Sequence, residues 1–164
     1  MLLLHSLKKN HQICEVIKLN FPEYKFKFKS SENNRYIFDV IRKKYVILQP
    51  EEWVRQHCIM YLIHEKNYPK SLINIEKKIS INGLSKRYDI VVFDSSGKVN
   101  ILVECKAPII NISQKTFDQI ARYNMALKSN YLTITNGINH YFCTMNYASK
   151  TYNFIQELPD YKTQ

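Results

Sequence analysis

Two apolar runs separated by a turn signal constrain the fold of this chain more than any other feature of its sequence. Residues 90–93 and 99–103 have the length and composition of β-strands, and Ser95-Ser96-Gly97 between them is typical of a turn. The pattern therefore predicts a β-hairpin. Because Asp89 and Glu104 flank the two runs at their outer ends, the hairpin is expected to bring these carboxylates side by side.

The tripeptide Glu104-Cys105-Lys106 stands at the end of the second run. Residues two apart on a strand share a face, so Glu104 and Lys106 are expected to point together while Cys105 packs inward. The pattern Glu-x-Lys occurs at two other places, over residues 23–25 and 76–78. Only the occurrence at residues 104–106 follows an apolar strand, and only this one has an upstream Asp that itself begins an apolar strand. A local salt bridge at a strand end remains the alternative interpretation.

Two carboxylates and a lysine at one sheet edge suit a magnesium-dependent phosphodiesterase, because hard divalent cations prefer oxygen ligands and phosphate is itself such a ligand. The net charge of +10, from 24 Lys and Arg against 14 Asp and Glu, favours an anionic partner, of which nucleic acid is the commonest. A solvated lysine-rich surface would give the same charge. With three glycines, the chain has no glycine-rich phosphate loop, which argues against ATP and dinucleotide cofactors.

Other function classes find little support in the sequence. The opening Met1-Leu2-Leu3-Leu4 is too short for the core of a signal peptide, and no apolar stretch is long enough to span a membrane. We therefore expect no membrane association and a cytoplasmic location. The cysteines stand singly without C-x-x-C spacing, which argues against a zinc site and against a disulfide framework. They are Cys14, Cys58, Cys105 and Cys143.

The 164 residues are expected to form a single domain, with an antiparallel β lead-in over residues 1–49. Aromatic residues at 24, 26 and 28 alternate with lysines at 25, 27 and 29, which predicts a strand of period two. The lysine side is either solvated or a nucleic-acid face. Residues 30–34 read as a turn, and one or two further strands are expected within residues 36–48.

From residue 50 onward the order of elements predicts an α/β core over residues 50–146 with a mixed sheet, followed by a C-terminal extension over 147–164. Pro50 is a strong helix start, and the helix should end near His64 or Lys66. Ser113 looks like the N-cap of a second helix that runs to about Lys128. Strands are expected over residues 72–79, 86–93, 99–106, 131–135 and 140–145, with turns at Asn82-Gly83 and Asn136-Gly137.

Five short motifs follow one another with consistent spacing. They are Pro50-Glu51-Glu52-Trp53-Val54-Arg55-Gln56, Arg87-Tyr88-Asp89-Ile90-Val91, Val103-Glu104-Cys105-Lys106-Ala107-Pro108, Gln119-Ile120-Ala121-Arg122-Tyr123 and Thr135-Asn136-Gly137. In these motifs the chain resembles the PD-(D/E)XK nuclease superfamily, and within it the N-terminal nuclease domain of type I restriction enzyme restriction subunits. The resemblance implies a restriction-endonuclease-like core of helix, three strands, helix and strand, which agrees with the order read from the sequence.

The resemblance also implies roles for the residues of the hairpin. Asp89 and Glu104 would be ligands of Mg²⁺, for which Mn²⁺ can substitute, and the backbone carbonyl of Cys105 would be a third ligand. Lys106 would orient or activate the attacking water and stabilise charge on the phosphate. Two neighbouring carboxylates repel each other until a divalent cation lies between them, so the physical chemistry agrees with this assignment.

One more carboxylate at the start of the first helix is implied by the same resemblance. Glu52, in the pattern Glu52-x-x-Arg55, would be this additional metal ligand, and Glu51 is its close competitor. Both residues also lie where acidic side chains compensate the positive end of a helix dipole. The sequence leaves both the choice between them and the structural alternative open.

The second helix carries the residues that the resemblance places beside the catalytic centre. Gln119 and Tyr123 are four residues apart and share one helix face. Gln119 would be a catalytic residue, and Gln119, Arg122, Tyr123 and Arg87 would contact DNA. Considered alone, a Gln and a Tyr on a helix are more often partly packed surface residues.

Taken together, these expectations describe a magnesium-dependent DNA endonuclease of restriction or genome-defence type. The alternative is a catalytically inactive nucleic-acid-binding module that keeps the fold, and a small structural or assembly subunit is a third interpretation. Tyr88 stands where the family has its name-giving proline. The ATPase motor of type I restriction subunits has no counterpart in the sequence, so either the nuclease acts alone or as a homodimer, or separate motor and specificity subunits supply translocation and recognition.

Overall fold

The computed structural model describes residues 17–81, 83–125 and 127–162, with the backbone alone at five positions: Ile79, Ile81, Leu84, Lys86 and Tyr123. Two sheets and two α-helices make up the described part of the chain. In chain order the elements are β1 (Phe28–Ser31), β2 (Asn34–Asp39), β3 (Lys44–Ile47), α1 (Pro50–His64), a 3₁₀ turn (Lys70–Leu72), β4 (Ile73–Ile81), β5 (Leu84–Phe93), β6 (Val99–Cys105), α2 (Gln114–Asn124), β7 (Tyr131–Thr135), β8 (His140–Asn146) and β9 (Thr151–Ile155).

The central sheet has six strands in the order β4-β5-β6-β7-β8-β9. Neighbouring strands are antiparallel except for β6 and β7, which run parallel. A parallel pair needs a long crossover, and the segment that contains α2 provides it. The predicted mixed α/β core is thus confirmed, as is the antiparallel β extension, which is the separate sheet β1-β2-β3. In the described residues, no helix combines the length and apolar character that crossing a membrane requires.

Each face of the central sheet buries one helix, because residues along β5 and β6 alternate between the two sides. On the α1 side the core contains Val54, Cys58, Ile59 and Leu62 of the helix, packed with Ile90, Val92, Ile101 and Val103. On the other side it contains Phe117, Ile120 and Ala121 of α2, packed with Val91, Leu102 and Leu132. Strands β5 and β6 are consequently buried on both faces, and the charged ends of these two strands lie where the core stops.

The ends of both helices follow local signals in the sequence. Pro50 occupies the first turn of α1, and the helix ends at His64, within the range predicted. The Ser113 Oγ accepts a hydrogen bond from the Thr116 N–H at 3.2 Å, which confirms the predicted N-cap of α2. The second helix ends earlier than predicted, at Asn124, whose carbonyl oxygen accepts the N–H groups of Leu127 and Lys128 at 2.9 and 3.2 Å in a closing turn.

The strand predicted at residues 24–29 is wrong for most of its length. Regular pairing begins at Phe28, and residues 22–27 form no strand. The alternating aromatic side chains instead cover α1: the Phe26 ring lies 5.1 Å from that of Trp53, and the Tyr24 ring lies 6.1 Å from that of His64. An alternation of apolar and polar residues is typical of an extended segment with one buried side. In this segment the aromatic side chains are buried against a helix instead of against a neighbouring strand.

β9 is a strand that the sequence analysis does not predict. It pairs antiparallel with β8 from Phe142↔Ile155 to Asn146↔Thr151 and closes one edge of the central sheet. The hairpin turn contains no glycine. The Asn146 Oδ1 accepts the N–H groups of Ala148 and Ser149, both at 3.1 Å, and Lys150 adopts a φ of 54°. An Asn side chain has thus organised a turn for which the usual glycine signal is missing.

We expect Gly137→Ala to lower the free energy of unfolding by about 1–3 kcal/mol. Gly137, in the turn between β7 and β8, has a φ of +82°, and a Cβ at this position would lie 2.7 Å from the Leu19 Cδ2. Urea denaturation followed by circular dichroism measures the loss. Gly97→Ala is the matched control, because Gly97 has a φ of +79° with no atom within 4 Å of the added Cβ. Equal losses in both variants would show that the contact with Leu19 contributes nothing.

Candidate active site

Asp89 and Glu104 lie on neighbouring strands at the same end of the central sheet. The antiparallel register pairs Ile90 with Val103, so the next residue outward on each strand is one of the two carboxylates. The Asp89 Oδ2 accepts a hydrogen bond from the Cys105 N–H at 2.7 Å. This bond joins the carboxylate of β5 to the backbone of β6, so the hairpin itself determines where Asp89 points.

Lys106 lies beside Glu104, as the spacing predicts. Its Nζ is 2.9 Å from the Glu104 Oε1, and its backbone N–H donates to the Thr135 carbonyl at 2.8 Å, next to the parallel pair β6 and β7. Burial lowers the pKa of Lys106, but the hydrogen bond that Lys106 donates to Glu104 and the charges of Glu104 and Asp89 raise it more, so that the net shift is upward. The side chain is therefore a cation at neutral pH, held at the mouth of the site.

Arg55 of α1 reaches Asp89 from the side of the sheet that α1 covers. Its Nη2 lies 2.6 Å from the Asp89 Oδ1, and its Nη1 donates to Glu52. The side chain is 7% exposed. Burial lowers the pKa of Arg55, but Asp89 and Glu52 raise it beyond its usual range. Arg55 is not among the predicted site residues, although its i+3 spacing from Glu52 on a helix could have indicated a role.

The strand that carries Asp89 is irregular at this point. Tyr88 packs in the core beside α2, whereas Ile90 packs in the core beneath α1, although residues two apart on a regular strand share a face. On the neighbouring strand β4, Glu76 adopts a φ of 53°, which is rare for a residue other than glycine within a strand. The local twist lets Asp89 turn its carboxylate toward Arg55, and β5 resumes regular pairing with β6 from Ile90 to Val92.

The two candidate carboxylates at the start of α1 have different environments. Glu52 is 9% exposed, and its Oε1 accepts from the Arg42 Nη2 at 2.5 Å and from the Gln56 Nε2 at 2.8 Å. Glu51 is 45% exposed and lies 3.3 Å from the Arg55 Nη2.

The pKa of Glu51 indicates which charges surround it. Burial and then the nearby charge of Asp89 raise this pKa, with a smaller contribution from Glu104, whereas Arg55 and Lys106 lower it. Glu51 is thus within electrostatic reach of both hairpin carboxylates. Glu52, in contrast, is held inside an ionic network.

This network extends behind the site through Arg42. The guanidinium group contacts Asp39 at 2.6 Å, Glu52 at 2.5 Å and Glu76 at 3.0 Å. Asp39 is fully buried, and hydrogen bonds from Arg42 and Gln56 hold its pKa below the usual value even though burial alone would raise it. Since every charge in the network has an opposite partner, it can anchor β2, β4 and α1 to one another.

Arg87 is one of the four residues that the resemblance places at DNA. It lies on β5 with 63% of its side chain exposed and forms an ion pair with Glu76. The guanidinium of Arg87 is therefore at the surface, two residues before Asp89.

The other three predicted DNA contacts lie on α2. Gln119 and Arg122 are exposed, and the Arg122 Nε donates to the Asp118 carbonyl at 3.3 Å within the helix. The side chain of Tyr123 lies outside the described part of the structure. Because α2 and α1 cover opposite faces of the sheet, residues of both helices can reach a ligand only at the strand ends, where Asp89 and Glu104 are found.

The donor chemistry of the site suits Mg²⁺ with few protein ligands. Among the described residues, no three of His, Cys, Asp or Glu lie close enough to hold an ion together. Mg²⁺ does not need such a cage, because it usually binds one or two protein carboxylates and completes its octahedron with waters and substrate phosphate oxygens. Asp89 and Glu104 form a pair of this kind.

The fold and the site define a mixed α/β domain with an Asp, a Glu and a Lys gathered at the ends of its central strands. The family described as the N terminus of the type I restriction enzyme R protein matches residues 50–159, about two-thirds of the chain. The chain therefore belongs to this family. The match includes α1, the central sheet and α2, and the sheet β1-β2-β3 lies before it.

Among solved structures, the chain is similar to a fragment assigned to an HsdR subunit of a type I restriction enzyme from Vibrio vulnificus YJ016. The two are 16% identical, with a TM-score of 0.47, over 68% of this chain and 24% of that one. The chain thus spans about a quarter of the fragment's length. The comparison with curated proteins finds no match.

Proposed function

We propose that the chain is a magnesium-dependent DNA endonuclease of restriction or genome-defence type, in which Mn²⁺ can replace Mg²⁺. The observation that carries the proposal is the placement of Asp89 and Glu104 on paired strands with the Lys106 Nζ 2.9 Å from Glu104. These residues lie within the segment that matches the restriction enzyme family. A basic chain with a net charge of +10 suits a substrate that carries one charge per phosphate.

In this proposal Asp89 and Glu104 hold the metal ion, with the Cys105 carbonyl as a further ligand. The bound ion would supply Lewis-acid stabilisation of the phosphoryl oxygens and a water of lowered pKa. Lys106 orients the attacking water and stabilises negative charge on the phosphate, since it stays protonated at neutral pH. Glu52 is poorly suited to be an additional ligand, because its oxygens already accept from Arg42, Arg55 and Gln56. Glu51 does not lie close enough to hold an ion together with Asp89 and Glu104, so it would act through a metal-bound water.

Residues outside the metal site would position the DNA. Gln119, Arg122 and Tyr123 on α2 and Arg87 on β5 are the residues proposed for this contact, and Gln119 would also assist at the reacting phosphate. The exposure of Arg87, Gln119 and Arg122 supports the proposal, because phosphate contacts come from side chains that a duplex can reach.

Arg55 has a proposed role in balancing the negative charge of the site. Its ion pair with Asp89 neutralises a carboxylate that would otherwise face Glu104 and Glu51 uncompensated. A bound divalent cation would take over this neutralisation. Arg55 would then remain paired with Glu52, so the network behind the site need not rearrange.

Incubation with supercoiled plasmid tests the proposed activity. We expect relaxed and then linear DNA to appear with 5–10 mM Mg²⁺ or Mn²⁺, concentrations of roughly the order at which weakly held Mg²⁺ saturates. Excess EDTA should stop the reaction, and Ca²⁺ serves as a comparison ion of the same charge. Cleavage that persists in EDTA would overturn the metal dependence, and intact plasmid under all conditions would overturn the nuclease.

The second candidate is a nucleic-acid-binding module without catalysis. It is supported by the ion pairs of the site, because each hairpin carboxylate already has a cation beside it: Arg55 at Asp89 and Lys106 at Glu104. Absence of cleavage together with salt-sensitive DNA binding would favour this module. We propose DNA as the substrate in the first case and as the ligand in the second, with a second copy of the chain or separate motor and specificity subunits as protein partners.

A further inference from the structure

The sheet β1-β2-β3 has an outer face that combines aromatic rings with lysines. Directly paired residues of antiparallel strands share a face, and the register aligns Lys29 with Tyr36 and Ile47, and Phe38 with Tyr45. Lys27 joins them, because its carbonyl accepts the Phe38 N–H at 2.9 Å. We define the aromatic-lysine face as these six residues: Lys27, Lys29, Tyr36, Phe38, Tyr45 and Ile47.

The opposite face of the same sheet packs against α1. Ile37 is completely buried, the Asp39 Oδ2 accepts from the Gln56 Nε2 of α1 at 2.8 Å, and the Phe28 ring lies 6.2 Å from that of Trp53. The aromatic rings of the outer face, in contrast, belong to neither of the two described hydrophobic cores, and each is partly exposed. The sheet is therefore anchored through one face, and the other face is open to a ligand.

The lysines of this face lie over its rings. The Lys29 Nζ is 5.3 Å from the centre of Tyr36 and 4.8 Å from that of Tyr45, and the Lys27 Nζ is 6.0 Å from that of Phe38. The rings of Phe38 and Tyr45 are 5.2 Å apart. None of the six residues is acidic, although the chain contains 14 Asp and Glu.

This composition fits one ligand class best. Unpaired bases stack on exposed aromatic rings whatever their sequence, and the phosphates between them attract lysines. A duplex keeps its bases stacked inside and could use the lysines but not the rings. An acidic peptide would likewise leave the rings without a function, and an apolar protein surface would leave the lysines unpaired.

A groove connects this face to the candidate active site. A cavity of about 450 Å³ opens between β3 and the start of α1, and its lining includes Tyr36 and Tyr45 together with Glu51, Glu52, Arg55 and Glu76. Arg55 is the residue that contacts Asp89 at 2.6 Å. A strand laid across the rings can therefore follow the cavity toward the ends of the central strands.

We propose that the aromatic-lysine face binds single-stranded DNA, with bases stacked on Tyr36, Phe38 and Tyr45 and phosphates at Lys27 and Lys29. The binding stands on the sheet alone, whereas delivery of the strand to Asp89 rests on the proposed nuclease function. The face lies before residue 50, outside the segment matched by the restriction enzyme family. It is thus a feature of this chain beyond the family domain.

Fluorescence anisotropy of labelled oligothymidylate in EDTA tests the binding without cleavage. Tyr45→Leu removes one stacking surface and should raise Kd about tenfold. Lys29→Gln should weaken binding and reduce the slope of log K against log salt by about 0.7, the value for one phosphate contact on a single strand. Arg35→Gln is the matched control, since Arg35 lies on the same sheet but over Phe28 of the opposite face, 4.5 Å from its ring. It removes the same charge and should leave Kd within about twofold.

Circular dichroism shows whether each variant is folded, and Lys29→Gln changes an exposed side chain, so it keeps the test valid if Tyr45→Leu does not fold. Wild-type affinity in both variants, equal losses in Lys29→Gln and Arg35→Gln, or tighter binding of blunt duplex than of the single strand would each overturn the inference. Binding that depends on the face without plasmid cleavage in Mg²⁺ would support the inference and contradict the nuclease. Plasmid cleavage in Mg²⁺ together with DNA binding that the variants of the face leave unchanged would support the nuclease and contradict the inference.

Discussion

Asp89→Asn is expected to abolish magnesium-dependent plasmid cleavage, with a loss of at least about 100-fold in rate, because metal stabilisation of the transition state contributes several kcal/mol. The amide oxygen of Asn can still accept the Cys105 N–H that the Asp89 Oδ2 accepts at 2.7 Å, so the hairpin should keep its geometry. DNA binding should not weaken, since the change removes a negative charge that opposes the phosphates. Single-turnover cleavage and anisotropy in EDTA measure the two effects separately.

Asp94→Asn is the control for this variant. Asp94 lies on the same hairpin at the opposite end, where its Oδ1 accepts the Ser96 N–H at 2.9 Å in the turn. An Asn can replace it in that role, and cleavage should remain at the wild-type rate. Asp89→Ala should be as inactive as Asp89→Asn while also losing the acceptor for Cys105. Full magnesium-dependent cleavage by either Asp89 variant would end the assignment of this residue.

Arg55→Ala is expected to lower the free energy of unfolding by about 3–5 kcal/mol, the usual cost of removing one partner from a buried ion pair. The side chain is 7% exposed and contacts Asp89 at 2.6 Å as well as Glu52. Without it the nearly buried Glu52 would lose a charge partner, and Asp89 would face Glu51 and Glu104 with one cation fewer. Urea denaturation followed by circular dichroism and tryptophan fluorescence measures the change.

Arg87→Gln is the matched control for Arg55. It also removes one arginine from an ion pair beside the site, but this side chain is 63% exposed and its partner Glu76 keeps Arg42 at 3.0 Å. Solvent screens such a pair, so the loss should stay below about 1 kcal/mol. A loss of the same small size in Arg55→Ala would show that the network around Glu52 and Asp89 does not hold α1 to the sheet.

The hairpin could be predicted from the sequence because its signals are local. Apolar runs of strand length, a turn motif with Gly97 and charged residues at the outer ends leave a single register in which the apolar side chains are buried on both faces. Local signals of the same kind account for the start of α1 at Pro50 and for the cap of α2 at Ser113. The prediction failed at residues 24–27 and at β9, where the partner of the segment decides its structure.

The candidate site also has a part that could be predicted from local sequence and a part that depends on tertiary packing. The positions of Asp89, Glu104 and Lys106 follow from strand geometry, and their family resemblance could be read from five motifs in order. The sequence could not tell whether Glu51 or Glu52 faces these three residues. Adjacent residues on a helix point about 100° apart, and only the docking angle of α1 decides between them. Arg55 joins the site for the same reason.

The sequence by itself determined the two helices, most of the strands and the three charged residues at the end of the hairpin, because these depend on periodicity and on residues close in the chain. Only the tertiary structure decided that Arg55 neutralises Asp89, that Arg42 binds Glu52 and Glu76, and that three rings and two lysines share one open face. Those arrangements join elements distant in the chain. They depend on how packing and burial orient whole elements, and no local pattern encodes that orientation.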